Sequence, residues 1–284
     1  MKEYAHAVRD VSGRLNVVTG SGAVVDIAEA SGGRVGGSVQ DAYAQWSDVL
    51  EVAAGLDDAR GQNVPSAEFG NPSPVPRQVF AIGLNYADHA AEASFAVPGE
   101  PAVFTKFPAS LAGPFGAIDL PPGHVDWEVE LVVVIGRGGH RIAAEDAWSH
   151  VAGLSVGQDL SERDRQQMGS TPQWSMAKSF PGFSPVGPLL VTPDEFDDPD
   201  DLELGCLLNG EEVQKGRTAD MVFPVPELIA RLSAVTPLLP GDVLFTGTPP
   251  GVGVWRTPQR FLAPGDELVS YVHGIGEMRH VMAA

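Results

Sequence analysis

Two glutamates, Glu128 and Glu130, lie two positions apart in residues 126–135, a run that is otherwise mostly apolar and β-branched. Such a run predicts a buried strand, and side chains alternate across a strand, so both carboxylates project from one face. Two neighbouring carboxylates in apolar surroundings repel each other and lose hydration, so either they share a proton or a cation neutralises them. A divalent metal is the simpler solution, and the pair therefore indicates a metal-dependent enzyme.

A third acidic candidate, Asp159, ends the next apolar run and precedes Ser161, which can cap a short helix. Functional sites are often built where a strand ends beside a helix start, although a simple turn or cap role would also explain this aspartate. Three carboxylates with open coordination positions favour Mg²⁺ or Mn²⁺, with Ca²⁺ as a further option, over zinc.

His89 and Glu92 are spaced i,i+3 in residues 86–93, which predict a short helix, so the two side chains share a face. A carboxylate that holds an imidazole fixes its tautomer and raises its basicity, which predicts a general base. A surface histidine–glutamate pair is the structural alternative, and Asp88 is a competing partner for the imidazole.

Two weaker signals follow along the chain. Lys178 is the only charged residue in residues 174–188, where it could counter the carboxylates or stabilise an enolate, or simply be a surface lysine. The glycine-rich turn at residues 247–253 follows a predicted strand and could offer the N–H of Gly247 and the hydroxyl of Thr248 to an anion. A plain tight turn explains the same residues.

The elements that must position these side chains are mainly strands. With 33 glycines and 24 prolines, the chain divides into many short apolar runs, which favours a β-rich α+β fold over a helical bundle. Asn209-Gly210 predicts a two-residue hairpin turn. The turn-rich, aperiodic residues 61–76 predict a boundary between a small N-terminal α/β domain, residues 1–70, and a catalytic domain, residues 71–284.

Composition limits the partners. The chain has 37 acidic and 18 basic residues and a net charge of −19, which argues against binding to nucleic acid or to anionic membrane surfaces. A single cysteine, Cys206, excludes an internal disulfide and fits a reducing compartment.

No apolar run approaches the roughly 18 residues needed to span a bilayer, and no secretory signal is visible, so we expect a cytoplasmic protein without membrane partners.

The order and spacing of these motifs resemble the fumarylacetoacetate hydrolase family, particularly its shorter bacterial members. The resemblance runs from about residue 76 to the C-terminus and is specific because several motifs occur in the family order. It is carried by residues 82–92, 126–131, 158–166, 178–180, 185–188, 209–210 and 241–253.

The resemblance implies a mixed β-roll or barrel-like catalytic domain and a homodimer. It also implies Mg²⁺ or Mn²⁺ held by the residues matching Glu128, Glu130 and Asp159. By the same resemblance, His89 and Glu92 would activate water and Lys178 would hold the substrate, where its positive charge could also stabilise an enolate. The residues assigned to substrate binding by the motifs are Arg163, Gln166, Gly247 and Thr248.

We therefore expect a metal-dependent hydrolase that cleaves a C–C bond in a small β-diketo acid of the acylpyruvate or fumarylpyruvate type, with the enolate charge stabilised by the metal. An isomerase, hydratase or decarboxylase acting on 2-oxo or 2-hydroxydienoate diacids of aromatic catabolism, including oxaloacetate, is the alternative within the resemblance. A non-catalytic metal-binding dimer is the alternative of another class.

Overall fold

A computed structural model of the protein describes residues 7–11, 13–19, 21–56, 61–65, 68–92 and 96–284. Within these ranges the chain forms eighteen β-strands and seven α-helices, the longest helix having eleven residues. None of the helices in these ranges is long and apolar enough to cross a membrane. The strands are β1 (Ala7–Val11), β2 (Arg14–Val18), β3 (Val24–Asp26), β4 (Phe69–Gly70), β5 (Val79–Gly83), β6 (Ala102–Thr105), β7 (Leu111–Ala112), β8 (Phe115–Asp119), β9 (Val125–Asp126), β10 (Val129–Ile135), β11 (Val151–Gln158), β12 (Ser161–Glu162), β13 (Ser184–Val191), β14 (Glu203–Leu208), β15 (Glu211–Arg217), β16 (Val243–Phe245), β17 (Glu267–Val272) and β18 (Gly276–Ala283). The helices are α1 (Ile27–Ala30), α2 (Val39–Ala44), α3 (Trp46–Ala53), α4 (Ala87–Glu92), α5 (Arg163–Gln166), α6 (Trp174–Ala177) and α7 (Val225–Val235).

Two sheets form the body of the described chain. The larger has eleven strands, with the main order β3-β2-β1-β13-β11-β10-β16-β5-β6, while β4 pairs with β1 and β7 pairs with β13. The smaller has the order β15-β14-β17-β18-β8, and β12 and β9 form a separate pair. The larger sheet curls into a half-barrel, which confirms the β-rich α+β fold predicted from the sequence.

Strand β10 lies at the centre of the larger sheet, between β11 and β16, and every one of its residues is buried. Leu131 and Val133 on one face pack into a core shared with the five-stranded sheet and α7. Val132 and Val134 on the other face pack against α2 and α3. Burial on both faces explains the nearly continuous apolar sequence of this strand. Glu128 and Glu130 interrupt that pattern on the face of Val132.

The hairpin predicted at Asn209-Gly210 joins β14 to β15. Both residues have positive φ, 54° for Asn209 and 81° for Gly210, as a two-residue turn matching the right-handed twist of its strands requires.

The N-terminal segment shares the larger sheet. β1 pairs with β13 and β2 pairs with β1, so these strands continue the sheet that contains β10. The predicted division into residues 1–70 and 71–284 stays a prediction, and part of the first range lies outside the described residues.

Candidate metal and substrate site

Three predicted acidic residues meet where β10 begins and β11 ends. The two strands are antiparallel with Val129 opposite Gln158, which brings Asp159 beside Glu128, and the backbone N–H of Asp159 donates to the carbonyl of Glu128 at 2.9 Å. One carboxylate oxygen from each of Glu128, Glu130 and Asp159 lies within 4.8 Å of the others, and all three residues are buried. The register of one strand pair therefore assembles the predicted cluster.

The ammonium group of Lys178 bridges two of these carboxylates. Its Nζ donates to Glu128 Oε2 at 2.7 Å and to Asp159 Oδ2 at 2.6 Å, while Arg163 Nη2 lies 2.8 Å from Glu128 Oε1. Burial alone would raise the pKa of Glu128, but the positive charges of Lys178 and Arg163 lower it to about 2. Glu128 is therefore ionised, and Lys178 is a buried partner of the acidic cluster, not a surface lysine.

Arg163 is held by Asp126, a buried aspartate whose role the sequence analysis missed. Arg163 Nε and Nη2 donate to Asp126 Oδ2 at 2.9 and 2.8 Å, and Nη1 donates to Gln166 Oε1 at 2.9 Å. Asp126 also accepts hydrogen bonds from the backbone N–H groups of Gly253 and Val254 at 2.7 and 3.0 Å. Asp126 thus fixes both the guanidinium and the loop that closes this side of the site.

A second buried lysine, Lys106, was also missed. Its Nζ donates to Asp159 Oδ1, to the carbonyl of Lys178 at 2.5 Å and to the carbonyl of Phe183 at 3.3 Å. Lys106 is 1% exposed, and it follows β6, an edge strand whose sequence alternates between exposed and half-buried residues. A lysine after such a strand is ordinarily solvated, so only its position in the fold identifies it as a partner of Asp159.

Glu130 has the least compensated charge of the cluster. Burial and the negative charges of Asp159 and Glu128 raise its pKa well above the usual value. The positive charge of Lys178 and the N–H of Gly247, which donates to Oε2 at 2.7 Å, oppose that shift only in part. A divalent cation would remove this repulsion. A set of three carboxylates, each oxygen with a spare lone pair, fits a hard, oxygen-seeking ion such as Mg²⁺ or Mn²⁺.

His89 and Glu92 lie on α4, as predicted, and their side chains are in contact. His89 Nδ1 is 3.4 Å from Glu92 Oε2, and both Glu92 oxygens lie 3.2 Å from the backbone nitrogen of Gly251. This pairing leaves His89 Nε2 free of the carboxylate, and His89 lines the same pocket as Glu128. The competing partner weighed in the sequence analysis, Asp88, is exposed, and Glu92 is the residue that contacts the imidazole.

The turn after β16 is tied to β10. The N–H of Gly247 is directed at Glu130, so the anion it contacts in this structure is a side chain of the protein itself. The hydroxyl of Thr248 donates to the carbonyl of Val129 at 2.8 Å, between the two glutamates. The predicted contacts of Gly247 and Thr248 with substrate stay predictions.

Gln214 on β15 locks this turn to β10. Its Oε1 accepts from the N–H of Val129 at 2.9 Å, and its Nε2 donates to Thr248 Oγ1 at 2.8 Å and to the carbonyl of Pro249 at 2.7 Å. A glutamine in a strand of mixed polarity gives no sign of such a role, and the sequence analysis missed it.

Replacing Gln214 with alanine should lower the free energy of unfolding by about 3 kcal/mol, because it leaves a buried N–H and a buried carbonyl without partners. Gln259→Ala is the matched control, because Gln259 is exposed and its side chain makes one hydrogen bond within the described part of the chain, to the carbonyl of Val254. It should change stability by less than about 0.5 kcal/mol. Urea unfolding of both variants tests this, and equal losses would contradict the locking role.

The site opens into a cavity of about 400 Å³. The predicted residues that line it are His89, Glu128, Arg163, Gln166, Lys178 and Thr248. The remaining four are positioned around it: Glu130 and Asp159 in the acidic cluster, Glu92 behind His89, and Gly247 behind Glu130. The structure thus brings all ten predicted residues to one region.

The sequence matches the fumarylacetoacetate hydrolase C-terminal family over residues 78–283. It is 42% identical over 270 residues to the human mitochondrial protein named oxaloacetate tautomerase FAHD2A, covering 94% of this chain and 86% of that protein. The relatives of known structure extend the comparison to the whole fold.

Two crystal structures illustrate this. A protein of Mycobacterium smegmatis provisionally named HpcE is 54% identical with a TM-score of 0.91, covering 98% of this chain and 99% of that one. The fumarylpyruvate hydrolase of Pseudomonas aeruginosa, solved in complex with Mn²⁺ and pyruvate, is 32% identical with a TM-score of 0.66, covering 73% of this chain and 90% of that one.

Proposed function

The chain belongs to the fumarylacetoacetate hydrolase family, and from that premise we propose that it is an enzyme of keto–enol chemistry, a tautomerase of small 2-oxo acids. Oxaloacetate is the first substrate to test, because the human relative is named for that reaction. One observation carries the proposal: an imidazole in contact with a carboxylate lines the same pocket as two cations, Lys178 and Arg163, and Glu128 of the acidic cluster. This replaces C–C hydrolysis, the first expectation from the sequence, as the function we favour.

The reaction needs a base beside C3 of the substrate. The C3–H bond breaks, its electron pair forms the C2=C3 double bond, and the 2-oxo oxygen receives a proton. His89 suits the proton transfer because Glu92 contacts Nδ1, so Nδ1–H can donate to the carboxylate while Nε2 accepts the proton from carbon. The imidazolium then gives that proton to the oxygen, directly or through water.

Positive charge must stabilise the enolate that forms between these transfers. Lys178 is buried, the side chain of Arg163 is only 11% exposed, and both line the pocket, where their charges are screened less than in water. Gln166 lines the same pocket, and its side-chain N–H can donate to the substrate carboxylate because its Oε1 accepts from Arg163. Thr248 also lines the pocket, but its hydroxyl hydrogen is donated to the carbonyl of Val129. A divalent cation held by the acidic cluster would, when bound, polarise the 2-oxo group as a Lewis acid.

The proposal is tested by following the ultraviolet absorbance of enol oxaloacetate after dilution into buffer. We expect the purified protein with Mg²⁺ or Mn²⁺ to accelerate the decay of the enol in proportion to enzyme concentration. Removing the metal with a chelator should reduce the rate to that of buffer, and adding the metal back should restore it. Unchanged enol decay at every metal and enzyme concentration would refute tautomerase activity.

Hydrolysis of an acylpyruvate is the second candidate. The same His89–Glu92 pair could deprotonate a water molecule that attacks the distal ketone, and the Pseudomonas aeruginosa relative is named a fumarylpyruvate hydrolase. Product analysis after incubation with acylpyruvates separates the two functions, because only hydrolysis releases pyruvate and a second acid. If no 2-oxo acid is consumed or enolised, the non-catalytic metal-binding protein becomes the better explanation.

Several properties implied by the resemblance remain proposals. Mg²⁺ or Mn²⁺ is proposed as the native metal, aromatic catabolism as the pathway of the isomerase alternative, and a homodimer as the assembly. The cytoplasmic location also remains a proposal, because the human relative is named as mitochondrial.

A further inference from the structure

Asn85 is a buried asparagine between a strand and the helix that carries the proposed base. It follows the end of β5 by two residues, precedes α4 by two residues, and is 0% exposed. A buried side-chain amide has two N–H hydrogens and an oxygen that all need partners, because an unpaired buried polar group is costly. Its partners therefore show which parts of the fold it holds together.

One side of the amide holds the segment that leads into α7. Asn85 Oδ1 accepts from the backbone N–H of Phe223 at 2.9 Å, and Nδ2 donates to the carbonyl of the same residue at 3.1 Å. The backbone carbonyl of Asn85 accepts from the N–H of Val222 at 2.8 Å. Because α7 is packed in the core, these bonds fix the point at which the chain enters α4, four residues before His89.

The other side of the amide holds the end of β16. Asn85 Nδ2 also donates to the carbonyl of Thr246 at 2.7 Å. Thr246 is 0% exposed, and its N–H and hydroxyl both donate to the carbonyl of Leu131 on β10, at 3.2 and 2.9 Å. Because the carbonyl of Thr246 is shielded from water, the amide of Asn85 supplies the donor that it needs.

The carbonyl of Thr246 and the N–H of Gly247 belong to a single peptide group. Such a group is planar, so its carbonyl and its N–H point in opposite directions and turn together. The carbonyl is held by Asn85, and the N–H donates to Glu130 Oε2 at 2.7 Å. Asn85 therefore aims the backbone donor that holds Glu130 in the acidic cluster.

The close approach of Asn85 to this peptide requires a glycine at position 247. An added Cβ on Gly247 would come within 2.7 Å of Asn85 Cβ, nearer than side-chain carbons approach one another. Gly247 also has a φ of 101°, a backbone conformation that residues with a side chain rarely adopt. Both observations indicate that the fold is built to bring the Asn85 side chain against this peptide.

We propose that Asn85 is a positioning residue: it keeps Glu130 turned into the acidic cluster for the divalent cation and fixes this carboxylate relative to the helix that carries His89. Asn85 does not line the cavity, so it acts through the peptide group between residues 246 and 247 and not on the substrate. The proposal rests on the proposed function, because it assigns a role in the same site.

The test measures Mn²⁺ binding to the metal-free protein by isothermal titration calorimetry, without substrate and well below the melting temperature of each variant. Asn85→Ala should weaken Mn²⁺ binding by about 10- to 100-fold, the loss typical when a group that orients a metal ligand is removed. Asn71→Ala is the matched control, because Asn71 is also buried and its amide also bonds to the backbone at both ends, to Ser73 and Ala112. It should also lower the melting temperature, because it leaves backbone groups unpaired. It shares no partner with Glu130, so it should change Mn²⁺ affinity by less than about 3-fold.

Gly247→Ala disturbs the same contact from the other side and is the second variant if Asn85→Ala does not fold. Its methyl group would push the peptide away from Asn85, so we expect a similar loss of Mn²⁺ affinity. Either variant, folded and binding Mn²⁺ as tightly as the wild type, would overturn the proposal. An equal loss of affinity in Asn71→Ala, or a wild type that does not bind Mn²⁺, would overturn it as well.

The proposed function fails separately, because enol decay measures turnover and the titration measures only metal binding. Weakened Mn²⁺ binding in Asn85→Ala, together with a wild type that has no tautomerase activity, would support the positioning of Glu130 and refute the reaction.

Discussion

Replacing Glu130 with glutamine should abolish measurable enolisation and weaken Mn²⁺ binding by at least about 100-fold, because even residues one shell removed from a metal contribute 10- to 100-fold. Within the described residues Glu130 is the carboxylate of the cluster that forms no ion pair, whereas Lys178 and Arg163 pair with Glu128. The amide keeps the volume of the side chain and an oxygen that can accept the N–H of Gly247. A loss of Mn²⁺ binding in Glu130→Gln would therefore result from the loss of the negative charge at position 130 and not from a change in side-chain size.

The same substitution should have the opposite effect on stability when metal is absent. A neutral side chain at position 130 removes the repulsion from Asp159 and Glu128, so the metal-free variant should melt at a higher temperature than the metal-free wild type. Adding Mn²⁺ should stabilise the wild type and leave the variant nearly unchanged. Calorimetric melting curves with and without Mn²⁺ measure both effects. A variant that binds Mn²⁺ normally and keeps full activity would refute the metal site.

Replacing His89 with alanine should lower the rate of enolisation by roughly 10²- to 10⁴-fold, the contribution typical of a positioned general base. Metal binding should be unchanged, because His89 is not part of the acidic cluster. Glu92→Gln should cause a smaller loss, because it weakens the contact that orients the imidazole and leaves the base in place. Enol decay rates and Mn²⁺ titrations of the two variants provide the measurement.

The His89 variant also separates the candidate reactions. In His89→Ala, hydrolysis of an acylpyruvate should be lost together with tautomerisation, because hydrolysis needs an activated water. Decarboxylation of oxaloacetate should survive in the same variant, because it needs only positive charge near the 2-oxo group. Equal loss of all three activities would contradict the assignment of His89 as a base and would indicate a structural role.

Local geometry made part of this site predictable from the sequence. The alternation of side chains along a strand places Glu128 and Glu130 on one face wherever that strand lies. The i,i+3 spacing on a helix brings His89 and Glu92 together in the same way. These relations need only a few consecutive residues, and the structure shows both.

The sequence by itself determined the β-rich fold class, the family and the residue types that converge on the site, because alternation, turn residues and motif order are written along the chain. Only the tertiary structure decided what surrounds them. The register between β10 and β11 brings Asp159 to Glu128, and Lys106 reaches the same aspartate from 53 residues away along the chain. Such contacts depend on strand pairing between distant segments. Neither residue type nor local spacing indicates whether a lysine such as Lys106 or a glutamine such as Gln214 will be buried beside the site.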